Sequence, residues 1–192
     1  MAAAKPLKGV SGTPTEMAAG DLIPPDNVAA RYFFPFAGME PAGTGWSVTG
    51  SAPSSEDSVT TGIPVVRFDD TAGEGRGALF YIPAGVSTLR LRLWVRAQSA
   101  PGATRYIRPK FHYRGVPSGS ALDSWASHDL GDQSIPANAY WQYLTISFAL
   151  TDPSTDLVAD RLYQFEMTFH DSTTGTKLTG DRTALACVME LY

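Results

Sequence analysis

Cysteine, charge and long apolar runs are all scarce in this chain. Of its 192 residues only Cys187 is a cysteine, so no intramolecular disulfide can form and the core must hold the fold together. Charged residues make up 18%, below the ~25% of an average soluble domain. Gly 18 and Pro 14 interrupt the sequence too often for long charged helices. A net charge of −4 gives the molecule as a whole no attraction for nucleic acid or an anionic membrane. No apolar stretch approaches the ~18 residues of a membrane span, and the N-terminus carries Lys5 but lacks the ~7–15-residue apolar core of a secretory signal. The expectation is a soluble protein, made in a cytoplasm and retained intact.

Signatures of catalysis and metal binding are missing too. There is no G-x-S-x-G elbow, and Cys187, between Ala186 and Val188, reads as a small buried hydrophobe. The glycines around Glu74 and Arg76 precede a strand and lack the Lys-Ser/Thr of a phosphate-binding loop. His112, His128 and His170 lie in separate segments with no short metal spacing. Loop carboxylates at Asp69, Asp70, Glu74, Asp152 and Asp156 lack the dense spacing of a calcium loop. Glu166 and Glu190 are the glutamates inside strands, and nothing selects either as half of a glycosidase pair. The sequence therefore assigns no catalytic residue, no cofactor and no metal.

What the sequence does contain is β-structure. Residues 89–97 place Leu89, Leu91, Leu93, Val95 and Ala97 on one side and Arg90, Arg92, Trp94 and Arg96 on the other, the period of two that buries one face of a strand. Residues 105–114 repeat the pattern, with Arg108, Lys110 and His112 opposite Ile107 and Phe111. Pro109 has no N–H for a ladder, which predicts an edge or a bulge there. Runs at 31–36, 63–68, 77–82, 140–150, 161–170 and 183–192 are rich in β-branched and aromatic residues and complete a set of eight strands. Only 15–19 and 154–160 suit a helical turn. Without crossover helices the sheets must be antiparallel. The expected fold is all-β, an antiparallel β-sandwich of jelly-roll type over residues 31–192, with another eight- or nine-stranded sandwich as the alternative because periodicity does not fix strand order.

Residues 1–30 have no such period and read as an extended N-terminal arm. The composition fits a disordered tail, but the dispersed apolar residues Leu7, Val10, Met17, Leu22 and Ile23 exceed what a solvated linker needs and favour a strap laid on a neighbouring subunit. In 183–192, Leu185, Cys187, Met189 and Leu191 alternate with Ala184, Ala186 and Val188, so both faces are apolar and one needs cover from the arm, a loop or another subunit. That predicts a homo-oligomer.

Charge is segregated. Residues 75–122 carry basic residues and no acid, while 123–171 carry acids against Arg161 alone. If the basic strands share an outer face, then Arg90, Arg92, Trp94, Arg96, Arg108 and Lys110 form a candidate interface for an acidic partner. The competing expectation is pairing across adjacent strands within the subunit. Trp46, Trp125 and Trp141, with Tyr140 and Tyr143, are candidates for a sugar-stacking platform, against the plainer reading that they fill the core or a subunit interface. Trp94, on the arginine face, is placed to stack with Arg92 or Arg96 or to anchor a partner.

Residues 7–24, LKGVSGTPTEMAAGDLIP, resemble the leader near the N-terminus of many tailed-bacteriophage virion proteins, including head-decoration and tail-fibre components. The domain beyond is similar only by class to jelly-roll modules on phage exteriors, and no functional residue carries over. The resemblance implies a self-assembling exterior component of a virion, assembled in the host cytoplasm. Its arm would anchor it to the major capsid protein or another virion protein, and the sandwich would form a homotrimer. Capsid decoration leads over a tail fibre because the chain has no repetitive shaft. The alternative is a carbohydrate-binding sandwich contacting host glycans. A sandwich enzyme ranks third, and neither nucleic acid nor membrane is expected as a partner.

Overall fold

The computed structural model describes residues 7–8, 15–16, 28–41, 53–57, 64–69, 74–138, 140–150, 157–173 and 175–192. The strands are, in chain order, β1 (Leu7–Lys8), β2 (Thr15–Glu16), β3 (Ala30–Pro35), β4 (Glu40–Pro41), β5 (Ser54–Asp57), β6 (Pro64–Phe68) and β7 (Gly75–Ile82). They continue with β8 (Thr88–Ala97), β9 (Arg105–Gly115), β10 (Ala126–Asp129), β11 (Gln133–Ile135), β12 (Gln142–Ala149), β13 (Arg161–Asp171) and β14 (Arg182–Leu191). Among the described residues the one helical element is a 3-10 turn at Phe36–Gly38. All eight expected strands are present. Thr15 and Glu16, expected in a helical turn, are extended instead.

One sheet runs β12-β8-β14-β6-β5, with β3 also beside β14, and the other runs β10-β9-β13-β7-β4, with β11 also beside β9. Every strand-to-strand ladder is antiparallel. The chain passes from β6 to β7, β8 and β9 by changing sheet each time, and does so again from β12 to β13 to β14. Strand orders β6-β14-β8-β12 and β7-β13-β9-β10 are those of a jelly roll, so the tertiary structure selects this fold over the other sandwiches.

The core lies between the sheets. Strand β8 contributes Leu89, Leu91, Leu93 and Val95, all fully buried, because its alternation places every odd residue inward. Facing them across the sandwich, β9 and β13 supply aromatic rings. Phe165 packs against Phe80 and Phe111 with ring centroids 5.6 Å apart in each case, and Phe68 meets Phe169 at 4.8 Å. Such contacts add to burial worth about 1.5–3 kcal/mol per large side chain.

Two irregularities shape the sheets. Pro109 does not make β9 an edge strand, since β13 lies along one side of it. On its other side the partner is split, with β10 opposite 110–113 and β11 opposite 105–107. Pro109 falls in the gap, where its carbonyl still accepts from the N–H of Leu130 at 3.1 Å. The missing donor thus sits where no strand asks for it.

The second irregularity is in β14, whose register against β8 shifts between Ala184 and Ala186. Leu185 is the extra residue of a bulge, and it reverses which residues face inward. Ala184 points into the core before it; Cys187, Met189 and Leu191 do so after it. The strict alternation expected for this strand is therefore wrong at Leu185, and the consequence lies on the outer face. An unbroken alternation from Ala184 would turn Ala186, Val188 and Glu190 inward.

Candidate functional site

The bulge at Leu185 puts Ala186, Val188 and Glu190 on the outer face of the β12-β8-β14 sheet, where the ladder aligns three rows of side chains. The first row is Tyr143, Trp94, Ala186 and Pro35, the second Thr145, Arg92, Val188 and Phe33, and the third Ser147, Arg90, Glu190 and Arg31. The central strand carries small side chains between large ones, so the face sinks into a hollow of about 250 Å³ lined by Arg31, Arg92, Trp94, Tyr143, Val188 and Glu190. Phe33 on the far side is 65% exposed and Tyr143 45%. The apolar outer side of β14 is thus the floor of a trough, and the tall residues of β3, β8 and β12 screen it within a single chain.

Glu190 anchors the basic end of the trough. Its side chain is only 2% exposed, and its carboxylate meets Arg92 Nε at 2.8 Å, Arg31 Nη2 at 2.9 Å and Arg90 Nη1 at 3.6 Å. Tyr192 closes the network: its hydroxyl accepts from Arg90 Nη1 at 2.6 Å and donates to Glu190 Oε2 at 2.9 Å. Burial and that bond to Glu190 push the Tyr192 phenol above its ordinary pKa. Three guanidinium groups held by one anion are fixed in place before any ligand arrives.

Aromatic rings form the other wall. Trp94 and Tyr143, opposite each other in the ladder, lie 4.8 Å apart at 53°. Arg92 donates to the Tyr143 hydroxyl and lies over its ring, and Arg96 lies over Trp141 at 5.0 Å. Trp94 therefore has Tyr143 as its ring partner. Of the proposed platform, Trp141 and Tyr143 come to this face. Trp125 is on the opposite sheet against Arg114 at 4.6 Å, Tyr140 is exposed, and Trp46 lies outside the described residues.

The expected basic patch is divided. Arg90, Arg92, Trp94 and Arg96 share the outer face of β8, whereas Arg108 and Lys110 sit on β9 in the other sheet. The chain changes sheet between β8 and β9, so the outer faces of these two strands point in opposite directions. Within the chain, Arg108 Nε bonds both carboxylate oxygens of Asp129 at 2.9 and 2.8 Å, and Arg161 pairs with Asp123. Asp129 thus neutralises one arginine of the preceding basic stretch, while Asp123 pairs with the arginine of its own stretch.

On that other sheet, His112 Nε2 lies 3.0 Å and His170 Nε2 2.9 Å from the Thr168 hydroxyl. The sequence separated these histidines, while the antiparallel β9-β13 register brings them together. Burial, the neighbouring His170 and Lys110 lower His112 to about 4, and burial with Lys110 also lowers His170. Among the described residues no group of three His, Cys, Asp or Glu is arranged to hold a metal ion. A smaller cleft of about 120 Å³ lies between Tyr113, Gly115, Asp123 and Tyr163.

Of the arm residues, Leu7 falls in β1, which forms a two-stranded ladder with β2 through the pairs Leu7 with Glu16 and Lys8 with Thr15. Val10, Met17, Leu22 and Ile23 lie outside the described residues.

No protein-family model matches the chain, and no curated protein matches its sequence. Among solved structures, the C-terminal CBM6 of LamC, a marine laminarinase from Zobellia galactanivorans, is similar with a TM-score of 0.46 at 10% identity, covering 84% of this chain and 99% of that one. A xylan-binding module, CBM15, also gives 0.46, at 12% identity over 84% and 96%. The enzymatically active domain of bacteriophage CBA120 tailspike protein 4 gives 0.38, at 8% identity over 86% of this chain and 20% of that one. The structures similar to this chain include carbohydrate-binding modules and a phage tailspike domain, and its own strand order makes this chain a jelly-roll β-sandwich.

Proposed function

We propose that this chain is a non-catalytic glycan-binding sandwich that holds a sugar chain in the trough over β14. The observation that carries this reading is the trough itself: a hollow with Val188 in its lining beside the Trp94–Tyr143 wall, with Arg31 and Arg92 at its basic end. Apolar sugar faces pack on aromatic rings, and sugar hydroxyls need polar partners such as the Arg92 guanidinium at the wall of the hollow. The test is retardation of the purified chain in native gels containing a panel of soluble polysaccharides. At least one glycan should retard the protein, and Trp94→Ala with Tyr143→Ala should abolish the shift while leaving the circular dichroism spectrum unchanged. A panel without any retardation, or a shift indifferent to both substitutions, overturns the reading.

A second reading, in which the glycan binder is an exterior component of a tailed-phage virion, is favoured by the N-terminal segment. β1 and β2 pair only with each other among the described strands, as a segment built to attach elsewhere would. In this reading residues 1–30 strap onto the capsid or a neighbouring subunit, and the sandwich projects as a homotrimer. β12 adds a means of self-association, since its eight residues carry no charge or proline and have a described partner strand on one side only. Native mass measurement with and without residues 1–30 decides it. A trimer or larger assembly that weakens on truncation supports the reading, and a monomer in both forms overturns it.

A further inference from the structure

We infer that the glycan taken by the trough is acidic, a polysaccharide carrying carboxylates such as a polyuronate. The inference rests on the glycan-binding reading above and adds the substrate class. Its basis is a local charge imbalance. Arg31, Arg90, Arg92 and Arg96 share this face with Glu190, four cations against one anion, in a chain whose net charge is −4. Positive charge is therefore concentrated where the surface is hollow and aromatic, and the rest of the molecule is acidic.

The arginines are also held in a way that leaves work for a ligand. Glu190 lies beneath them, almost wholly buried, and serves as the shared counter-ion of Arg31, Arg90 and Arg92. Arg90 also bonds Ser147 and Tyr192, and Arg92 bonds Tyr143, all neutral groups, so one carboxylate offsets a single charge among the three guanidinium groups. Arg96, on the same face of β8, lies over the Trp141 ring at 5.0 Å and has no carboxylate among its described contacts. A ligand carboxylate presents two coplanar oxygens that match the guanidinium fork.

The remaining surface favours an acidic sugar over a nucleic-acid strand, the other ligand that joins anions to flat rings. Val188 gives the lining an aliphatic patch, which suits the C–H face of a pyranose better than the flat face of a base.

The experiment compares matched ligands by titration calorimetry: a homogalacturonan oligomer, its fully methyl-esterified form, a neutral xylan oligomer and a single-stranded oligonucleotide of similar length. The acid form should bind at least about tenfold more tightly than the methyl ester in low salt. The ratio should shrink as salt rises, since charge pairing at an open surface is screened. Arg31→Gln and, separately, Arg96→Gln should each bring the ratio towards one, with circular dichroism confirming the fold. Equal binding of acid and ester, or binding of xylan alone, overturns the acidic preference and leaves the glycan-binding reading standing. Binding of the oligonucleotide alone, or of none of the four, overturns the acidic preference as well, and the polysaccharide gel panel then decides the glycan-binding reading separately.

Discussion

Arg92 and Glu190 stand on adjacent strands with Nε 2.8 Å from Oε2, and the pair exists on the outer face only because the bulge at Leu185 shifts the β14 register. Without that extra residue the Glu190 carboxylate would face the core among Leu89, Leu91 and Leu93, where burying an unpaired charge is prohibitive. The bulge, the ion pairs and the trough are one construction.

Replacing Glu190 with Gln should therefore destabilise the fold while preserving its shape. The substitution leaves Arg31, Arg90 and Arg92 crowded without their shared anion. Since each of these arginines is about a third or more exposed, water relieves part of the repulsion. The expected loss is about 1–2 kcal/mol. Urea unfolding should show a lower midpoint with an unchanged m-value, and an unchanged midpoint would mean that Glu190 contributes nothing to stability.

Stability should fall as pH is lowered through the histidine range. Burial, His170 and Lys110 hold His112 down at about 4 in the folded chain, against about 6.5 in the unfolded one. Between these values the unfolded state binds more protons, so unfolding becomes easier as pH drops from about 6.5 to 4, by roughly 2–3 kcal/mol in all. His112→Asn should flatten much of that slope. Thermal melts of both proteins from pH 7.5 to 4 measure it, and parallel curves would refute the assignment.

Gly75 is closed to any side chain. A Cβ there would lie 2.0 Å from Glu166 Oε1 and 2.7 Å from its Cγ, and Glu166 is itself buried, so the crowding cannot be relieved by swinging one atom aside. Gly75→Ala should destabilise by about 1–3 kcal/mol, as overpacking does. Gly85→Ala is a useful contrast, because its Cβ meets nothing within 4 Å and any loss there comes from the positive φ alone. Equal melting temperatures for Gly75→Ala and the parent chain would contradict the packing argument.

Cys187 should be chemically silent in the native protein. It points into the core beside Met189, and burial alone raises its thiol to about 12, so thiolate is negligible at neutral pH. An aromatic disulfide reagent should label it rapidly in denaturant and at least about a hundredfold more slowly in buffer. Comparable rates would show that β14 opens readily.

The two-residue period of residues 89–97, the aromatic runs and the missing helices fixed the class of this protein, because alternation is a local property that each strand carries by itself. Cys187 as a buried hydrophobe was legible for the same reason. The strand order was not, because pairing joins residues far apart in sequence, as His112 and His170 meet at Thr168 across β9 and β13. Nor was the division of the basic residues: Arg92 and Arg108 look alike in the sequence, yet a change of sheet between β8 and β9 sends one to the trough and the other to Asp129. The trough itself depends on a bulge at Leu185 that no residue pattern announced, since a leucine continues the apolar alternation as well as it interrupts it. Local alternation settled which residues could be buried, while long-range pairing and one extra residue in β14 decided which of them became the floor and walls of a site.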